Sequence, residues 1–238
     1  VVLMCTRGCP HNCTFCELPS VHGRGIRCRP ADKISQELEL ALSLNSKLEI
    51  RYEDEFMGLF PERTKQVLEL IKSKKVGQFR AATRPDGITG EILKKLKEAG
   101  CTNLYIGMES GSDEVLKFNK RAITVAKILE IAEMFQRNEM LFHAGFILGL
   151  PGETKQTLEQ TLDIALKCCD STFTTVKKNF KELLEMMSFK LIVENSRAEF
   201  NLLAPNPGTE IFRNPEKMRY KIFHKNWELY DCNTSVGE

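Results

Sequence analysis

The chain has 238 residues, 42% of them hydrophobic and 28% charged, with a formal net charge of +2. That length suits one large domain or two small ones, and the balance is that of an ordinary globular protein. It excludes a strongly basic nucleic-acid binder, and no apolar run is long enough to span a bilayer. Nine cysteines, three at ligand spacing and six scattered, are the pattern of a reducing compartment, so a cytoplasmic location is expected. The first residue is Val1, in a stretch that reads as a core strand. A further N-terminal domain upstream is therefore expected.

In chain order, short apolar runs alternate with amphipathic stretches. The first predicted strand, Val1 to Cys5, runs into a cysteine-rich loop, and Pro30 to Leu44 reads as a helix with Ile34, Leu38, Ala41 and Leu42 on one face. A second strand, Leu48 to Glu53, precedes a helix after Pro61 carrying Val67, Leu68 and Ile71. The third, Phe79 to Thr83, is followed by a helix from Gly90 to Ala99, capped by Thr89 and stopped by Gly100. Asn103 to Met108 and Phe142 to Leu148 are the fourth and fifth strands, each followed by a helix, opened by Thr124 and Thr154 respectively. Glu199 to Ala204 is the sixth.

Repeated strand–helix alternation means parallel strands joined by right-handed crossovers. The expected fold is α/β: a partial (βα)6 TIM-like barrel with an open edge, with a doubly wound sheet as the alternative. About thirty residues separate Cys169 from the sixth strand, longer than the roughly 2–6 of an ordinary connection. Residues 171–197 are read as an insertion holding a helix from Thr175 to Met187, with Phe189 to Glu194 a short strand or part of the same insertion. Residues 1–212 would form the barrel and 213–238 the start of a C-terminal extension.

Chemistry concentrates after the first strand. Cys9, Cys13 and Cys16 lie at Cys-x3-Cys-x2-Cys spacing, so a short loop can turn three soft sulfurs to one centre. Three ligands leave one coordination position open. Phe15 offers an apolar wall over a metal. A structural zinc site completed by His11, Cys5 or Cys28 is the competing reading. In parallel barrels the active site gathers at the carboxyl ends of the strands. Here those ends carry Tyr52-Glu-Asp-Glu-Phe56, Thr83-Arg-Pro-Asp86, Glu109-Ser-Gly-Ser112, Gly145 to Thr154, and Ala204 to Thr209. Singly, each has a plain explanation as a turn or a cap. Cys5, Cys28, Cys101, Cys168, Cys169 and Cys232 read as small core residues, with a substrate-facing thiol the alternative for Cys232, and His143 reads as a core histidine, with a place inside the barrel near the substrate as its alternative.

The cysteine loop resembles that of the radical S-adenosylmethionine superfamily. With the strand ends, the chain resembles the cobalamin-dependent and methylthiotransferase-like branch over nearly its whole length. The resemblance implies a 4Fe–4S cluster on Cys9, Cys13 and Cys16, with S-adenosylmethionine on the remaining iron. It implies cofactor contacts from Phe15, Glu53, Asp54, Arg84, Glu109, Ser110, Gly145, Ile147, Gly149 and Asn206. Where relatives read Asp-Asp-x-Phe, this chain has Glu53-Asp54-Glu55-Phe56, which leaves open which carboxylate receives the methionine ammonium. A reductase or a flavodoxin- or ferredoxin-type donor is implied, and cobalamin through a domain outside this chain. Three functions follow as expectations: a cobalamin-style radical enzyme on an unidentified small molecule or lipid, a methylthiotransferase-like enzyme on tRNA or protein, or a non-catalytic zinc or iron–sulfur module.

Overall fold

The computed structural model describes residues 1–169, 190–193, 196–224, 226–230, 232 and 237. Nine strands are β1 (Val2–Leu3), β2 (Thr6–Arg7), β3 (Arg27–Cys28), β4 (Ile50–Met57), β5 (Phe79–Thr83), β6 (Cys101–Glu109), β7 (Phe142–Leu148), β8 (Lys190–Val193) and β9 (Ser196–Leu202). The helices are α1 (Leu18–Val21), α2 (Ala31–Leu44), α3 (Pro61–Ser73), α4 (Gly90–Glu98), α5 (Asp113–Phe118), α6 (Val125–Arg137), α7 (Lys155–Cys168) and α8 (Glu210–Arg213).

Seven strands form one sheet in the order β1-β4-β5-β6-β7-β9-β8. The first six are parallel neighbours, and β8 pairs antiparallel with β9. β1 and β8 are its two edges, so the sheet is the α/β, partial-barrel arrangement expected. Thr89 and Thr154 cap as predicted, accepting from the N–H groups of Ile92 and Thr157, and Thr124, read as the first residue of its helix, is its cap and accepts from Lys127.

Several boundaries move. The sixth parallel strand begins at Ser196, inside the segment read as insertion, because its partner is the hairpin strand β8. The predicted helix from Thr175 to Met187 lies outside the described residues. β4 continues to Met57 through all three acidic residues, pairing with β5 across a register shift between Tyr52 and Met57. β1 covers two residues only. Beyond it the backbone N–H groups of Cys5 and Thr6 turn to the Asp54 carboxylate, at 2.7 and 2.8 Å, instead of to a neighbouring strand.

Strand alternation sorts the faces. Ile50, Tyr52, Phe79, Leu104, Ile106, Phe142, Ala144 and Phe200 are buried in one core that also takes Leu38, Leu68, Ile92, Ile131 and Ala165 from the helices. Truncating one of these large side chains costs about 2–5 kcal/mol. The other face is concave and more polar: Arg51 and Arg80 are exposed, and His143 is half-buried with Nε2 3.3 Å from Asn103. His143 is therefore not a core histidine. A second, smaller core joins Val115, Leu150, Leu203, Ile211, Met218 and Tyr220, with Phe15 and Ile147 packed against it. Of the scattered cysteines, Cys5, Cys101, Cys168 and Cys169 are buried as expected, while Cys28 is exposed on β3 and Cys232 is half-buried.

Candidate active site

The cysteine loop is tied at its neck and again at its middle. β2 and β3 pair antiparallel, Thr6 with Cys28 and Arg7 with Arg27, closing the loop base. Gly8, the residue before the first ligand, has φ 99°, and a Cβ there would strike the Gly25 carbonyl. Midway, buried Thr14 donates its hydroxyl to the Asn119 side chain at 2.7 Å and its N–H to the Asn119 carbonyl at 3.1 Å. Asn119 in turn donates to Pro151, and the Thr14 carbonyl accepts from Glu210 and Ile211 of α8. The ligand loop is thus pinned to α5, to the turn after β7 and to α8. Thr14 and Asn119 carried no signal in sequence, because their value lies in a contact 105 residues apart.

Cys9, Cys13 and Cys16 wall one cavity of about 200 Å³ at the carboxyl ends of the strands. Burial pushes the Cys16 thiol up to about 11 and raises Cys9 above its ordinary value. Both guanidinium groups of the cavity reach Cys13, Arg84 at 3.6 Å and Arg121 at 3.9 Å from its sulfur. Arg84 is aimed by a two-point bond to Asp86 at 2.8 and 3.1 Å, and it lies over the Phe56 ring. Arg121 is held by the Gly107 carbonyl at 2.5 Å and by Glu109 at 3.1 Å. Burial raises the Glu109 carboxyl, and Arg121 pulls it back. Glu109 itself sits at φ 70°, a strained conformation worth about 1–3 kcal/mol. Sequence reading passed over Arg121, which follows α5 and matches no strand end.

Three polar atoms buried around this cavity have no hydrogen-bond partner among the described residues: His11 Nε2, Glu55 Oε2 and Arg121 Nε. Buried polar groups are nearly always paired, so such orphans mark a place where a ligand completes the bonding. The acidic segment separates into three fates. Glu53 leaves the cavity and pairs with Arg51 at 2.8 Å. Asp54 lines the cavity, but one of its oxygens is engaged by the backbone of Cys5 and Thr6, and burial raises its carboxyl. Glu55 is the carboxylate that faces inward, one oxygen on Arg7 at 2.9 Å and the other unpaired. Glu53 and Glu55 share one face of β4, opposite buried Asp54, and only Glu55, nearer the strand's carboxyl end, lines the cavity.

Phe15, Arg84 and Glu109 line the cavity. Ser110 does not: its hydroxyl is fully buried against Thr161 of α7, 3.2 Å away. Ile147 packs into the second core. Gly145 does not line the cavity either; it leaves room for Tyr105, which does, and a Cβ there would collide with the phenol. Gly149 donates its N–H to Glu153 at 2.5 Å, and Leu150 does so at 3.1 Å. Asn206 makes the turn before α8, its carbonyl accepting from Thr209.

Among the described residues, no group of three His, Cys, Asp or Glu side chains is arranged to hold a metal ion. A cubane cluster makes a different demand, taking each thiolate at a separate iron. Three thiols around one cavity, with two cations on the central one, fit that demand.

A mostly parallel open sheet with a triple-cysteine loop at its carboxyl edge defines the class: radical enzymes built on a partial TIM-like barrel. The Radical SAM superfamily profile matches residues 3–165, and the chain belongs to that superfamily. It is an enzyme of the radical S-adenosylmethionine type, in a family that uses a 4Fe–4S cluster and S-adenosylmethionine. It is 25% identical over 212 residues to an uncharacterised methyltransferase of Pyrococcus horikoshii, covering 89% of this chain and 41% of that one. It is 22% identical to the bacteriochlorophyllide d C-12(1)-methyltransferase of Chlorobaculum tepidum, over 97% of this chain and 45% of the relative. A tRNA-2-methylthio-N(6)-dimethylallyladenosine synthase of Carboxydothermus hydrogenoformans is 28% identical over 71% of this chain and 41% of its own length. The chain thus spans less than half the length of these relatives. Among solved structures, the cobalamin-dependent S-adenosylmethionine radical enzyme OxsB with aqua-cobalamin and S-adenosylmethionine superposes with a TM-score of 0.67, at 20% identity, over 99% of this chain and 38% of that one. The methyltransferase TsrM of Kitasatospora setae, with cobalamin and a [4Fe-4S] cluster, gives 0.64 at 16% identity, over 90% of this chain and 39% of that one. Among the described residues no helix is long and apolar enough to cross a membrane.

Proposed function

We propose that this chain is the catalytic core of a radical S-adenosylmethionine enzyme of the methyltransferase type. The observation that carries the reading is the cavity itself: three cysteine thiols, two guanidinium groups on the middle one, and unpaired buried atoms of His11, Glu55 and Arg121. When bound, the cluster and S-adenosylmethionine supply one-electron reductive cleavage of the sulfonium to a 5′-deoxyadenosyl radical. Cys9, Cys13 and Cys16 would hold three irons and leave the fourth to the cofactor's amino and carboxylate groups. Arg84 and Arg121 set positive charge against the thiolate at Cys13 and, where they extend past it, against the methionine carboxylate. Glu55, with one free oxygen, receives the methionine ammonium. Glu109, fixed by Arg121, takes the ribose diol. Phe15, Leu18 and Ala82 line the same cavity with apolar surface that keeps water from a radical. No side chain is required as an acid or base in this first step.

The methyltransferase-type reading is supported by the relatives that align over most of the chain. Cobalamin, where used, would be held by a domain outside these 238 residues, and a reductase or a flavodoxin- or ferredoxin-type protein would deliver the electron. Anaerobic reconstitution is expected to load about four irons and four sulfides per chain. Reduction with S-adenosylmethionine should then release 5′-deoxyadenosine, and Cys13→Ala should abolish that release. Stoichiometric zinc without iron uptake would overturn the proposal. In the complete protein, transfer of a methylthio group to tRNA would move it to the methylthiotransferase branch.

A further inference from the structure

The cysteine loop has two hollow sides. Its inner side is the cavity described above. On the outer side lies a second cleft of about 370 Å³, walled by Asn12, Ser20, Arg24, Arg213 and Asn214 together with Cys13 and Cys16. Two of the three ligand side chains therefore stand between the cavities, each lining both.

The outer cleft carries positive charge. Arg24 is exposed and donates to the Asn12 side chain at 2.6 Å; exposed Arg213 donates to the Ser20 hydroxyl at 2.9 Å. Neither forms an ion pair with a carboxylate among the described residues. The carboxylate lining the cleft, Glu210, is bonded to Lys120 and lies 3.8 Å from Lys217. That triad adds a further net positive charge at the cleft's rim. The chain as a whole is nearly neutral, at +2, so this concentration is local.

The structure assigns this outer cleft as the docking surface for an acidic one-electron carrier protein. The assignment rests on the cluster-loop reading of Cys9, Cys13 and Cys16. An electron cannot be delivered by a protein through the inner cavity, because that space must hold the cofactor and substrate and exclude water. At the outer cleft, one cysteine side chain separates a docked carrier from the cluster position. The step balances with one electron: the carrier is oxidised by one, the cluster is reduced by one, and the electron then enters the sulfonium as its C–S bond breaks. No proton moves. Unpaired surface arginines steer an acidic partner by long-range attraction and select its orientation.

The test uses reduced flavodoxin as the carrier and dithionite as a reductant that needs no docking surface. In Arg24→Glu and in the double variant Arg24→Glu/Arg213→Glu, association with flavodoxin at low salt should slow roughly tenfold or more. The wild-type rate should fall steeply with salt, and the variants' rates should not. Flavodoxin-driven 5′-deoxyadenosine formation should drop in parallel, while the dithionite-driven rate stays unchanged. Because Arg24 has a single hydrogen bond to lose, its single variant separates docking from folding. Unchanged association and unchanged flavodoxin-driven turnover in both variants would overturn the assignment. If the wild type with dithionite releases no 5′-deoxyadenosine, the cluster reading falls instead, and the association rates still judge the surface.

Discussion

The two halves of the strand-end rim use similar residues to opposite ends. On the half formed by β4, β5 and β6, Glu55, Arg84 and Glu109 line the cavity, and one Glu55 oxygen has no hydrogen-bond partner among the described residues. On the half formed by β7 and β9, the polar groups bond within their own turns, and Glu153, whose second oxygen has no partner among the described residues, does not line the cavity. Glu153 clamps the N–H groups of Gly149 and Leu150, and the Asn206 carbonyl is taken up by Thr209. A glycine-rich motif ending in a glutamate looks like a ligand cradle in sequence. Here its glutamate builds the loop, and none of the motif's residues lines the cavity. The difference predicts that changes on the first half alter cluster or cofactor binding, whereas changes on the second alter stability alone.

The largest expected effect is in the loop that both halves surround. Cys13→Ala removes the thiol on which both arginines converge, and iron content after reconstitution should fall to near zero. Next comes Asp54→Ala, which orphans the buried N–H of Cys5 and that of Thr6. Each unsatisfied donor costs about 1–3 kcal/mol, so both the thermal midpoint and iron loading should drop together. Glu55→Gln should behave differently. Its melting temperature should stay within a few degrees while S-adenosylmethionine affinity, read by calorimetry, weakens by about tenfold or more, since a charge-assisted bond is worth about 1.5–3 kcal/mol. Equal affinity in that variant would sink the assignment of the ammonium to Glu55.

The smallest effect belongs to the second half. Burial lifts the Glu153 carboxyl to about 7, well above its ordinary value of 4.5. The folded chain thus holds this proton more tightly than the unfolded chain does. Its contribution to stability is full below about 4.5 and is lost as pH rises through about 7. Glu153→Gln keeps an acceptor for the two N–H groups and carries no charge. Its melting temperature should exceed that of the wild type at pH 8, and the gain should vanish at pH 5. A change in cofactor affinity in this variant would erase the contrast between the two halves.

Much of the fold was legible because the signals are local. Threonine caps at 89 and 154, the glycine stop at 100 and the 3.6-residue apolar spacing each act within a few positions, and each is found in place. The cysteine spacing is equally local, and its three thiols share one cavity. What escaped depends on distant partners. Charge suggested that the second strand ends at Glu53, yet the β5 ladder extends it to Met57, and the added residues carry Glu55 to the cavity. Ser110 sat in a matching motif, but Thr161 claims its hydroxyl. Arg121 belongs to no motif and is placed by the Gly107 carbonyl, fourteen residues back.

The clamp of Asp54 on the backbone of Cys5 and Thr6 also fixes an order of assembly. The ligand loop directly follows those two residues, but the group that anchors its leading edge lies 48 and 49 positions further along. The Thr14 brace to Asn119 spans 105. Contacts of such sequence separation are slow to form, because the loop must close before they repay it. Maturation machinery that delivers iron and sulfide would therefore meet a competent thiol array only after β4 and α5 have docked. The three cysteines precede in sequence both groups that brace them, and they become a site only once those braces are in place.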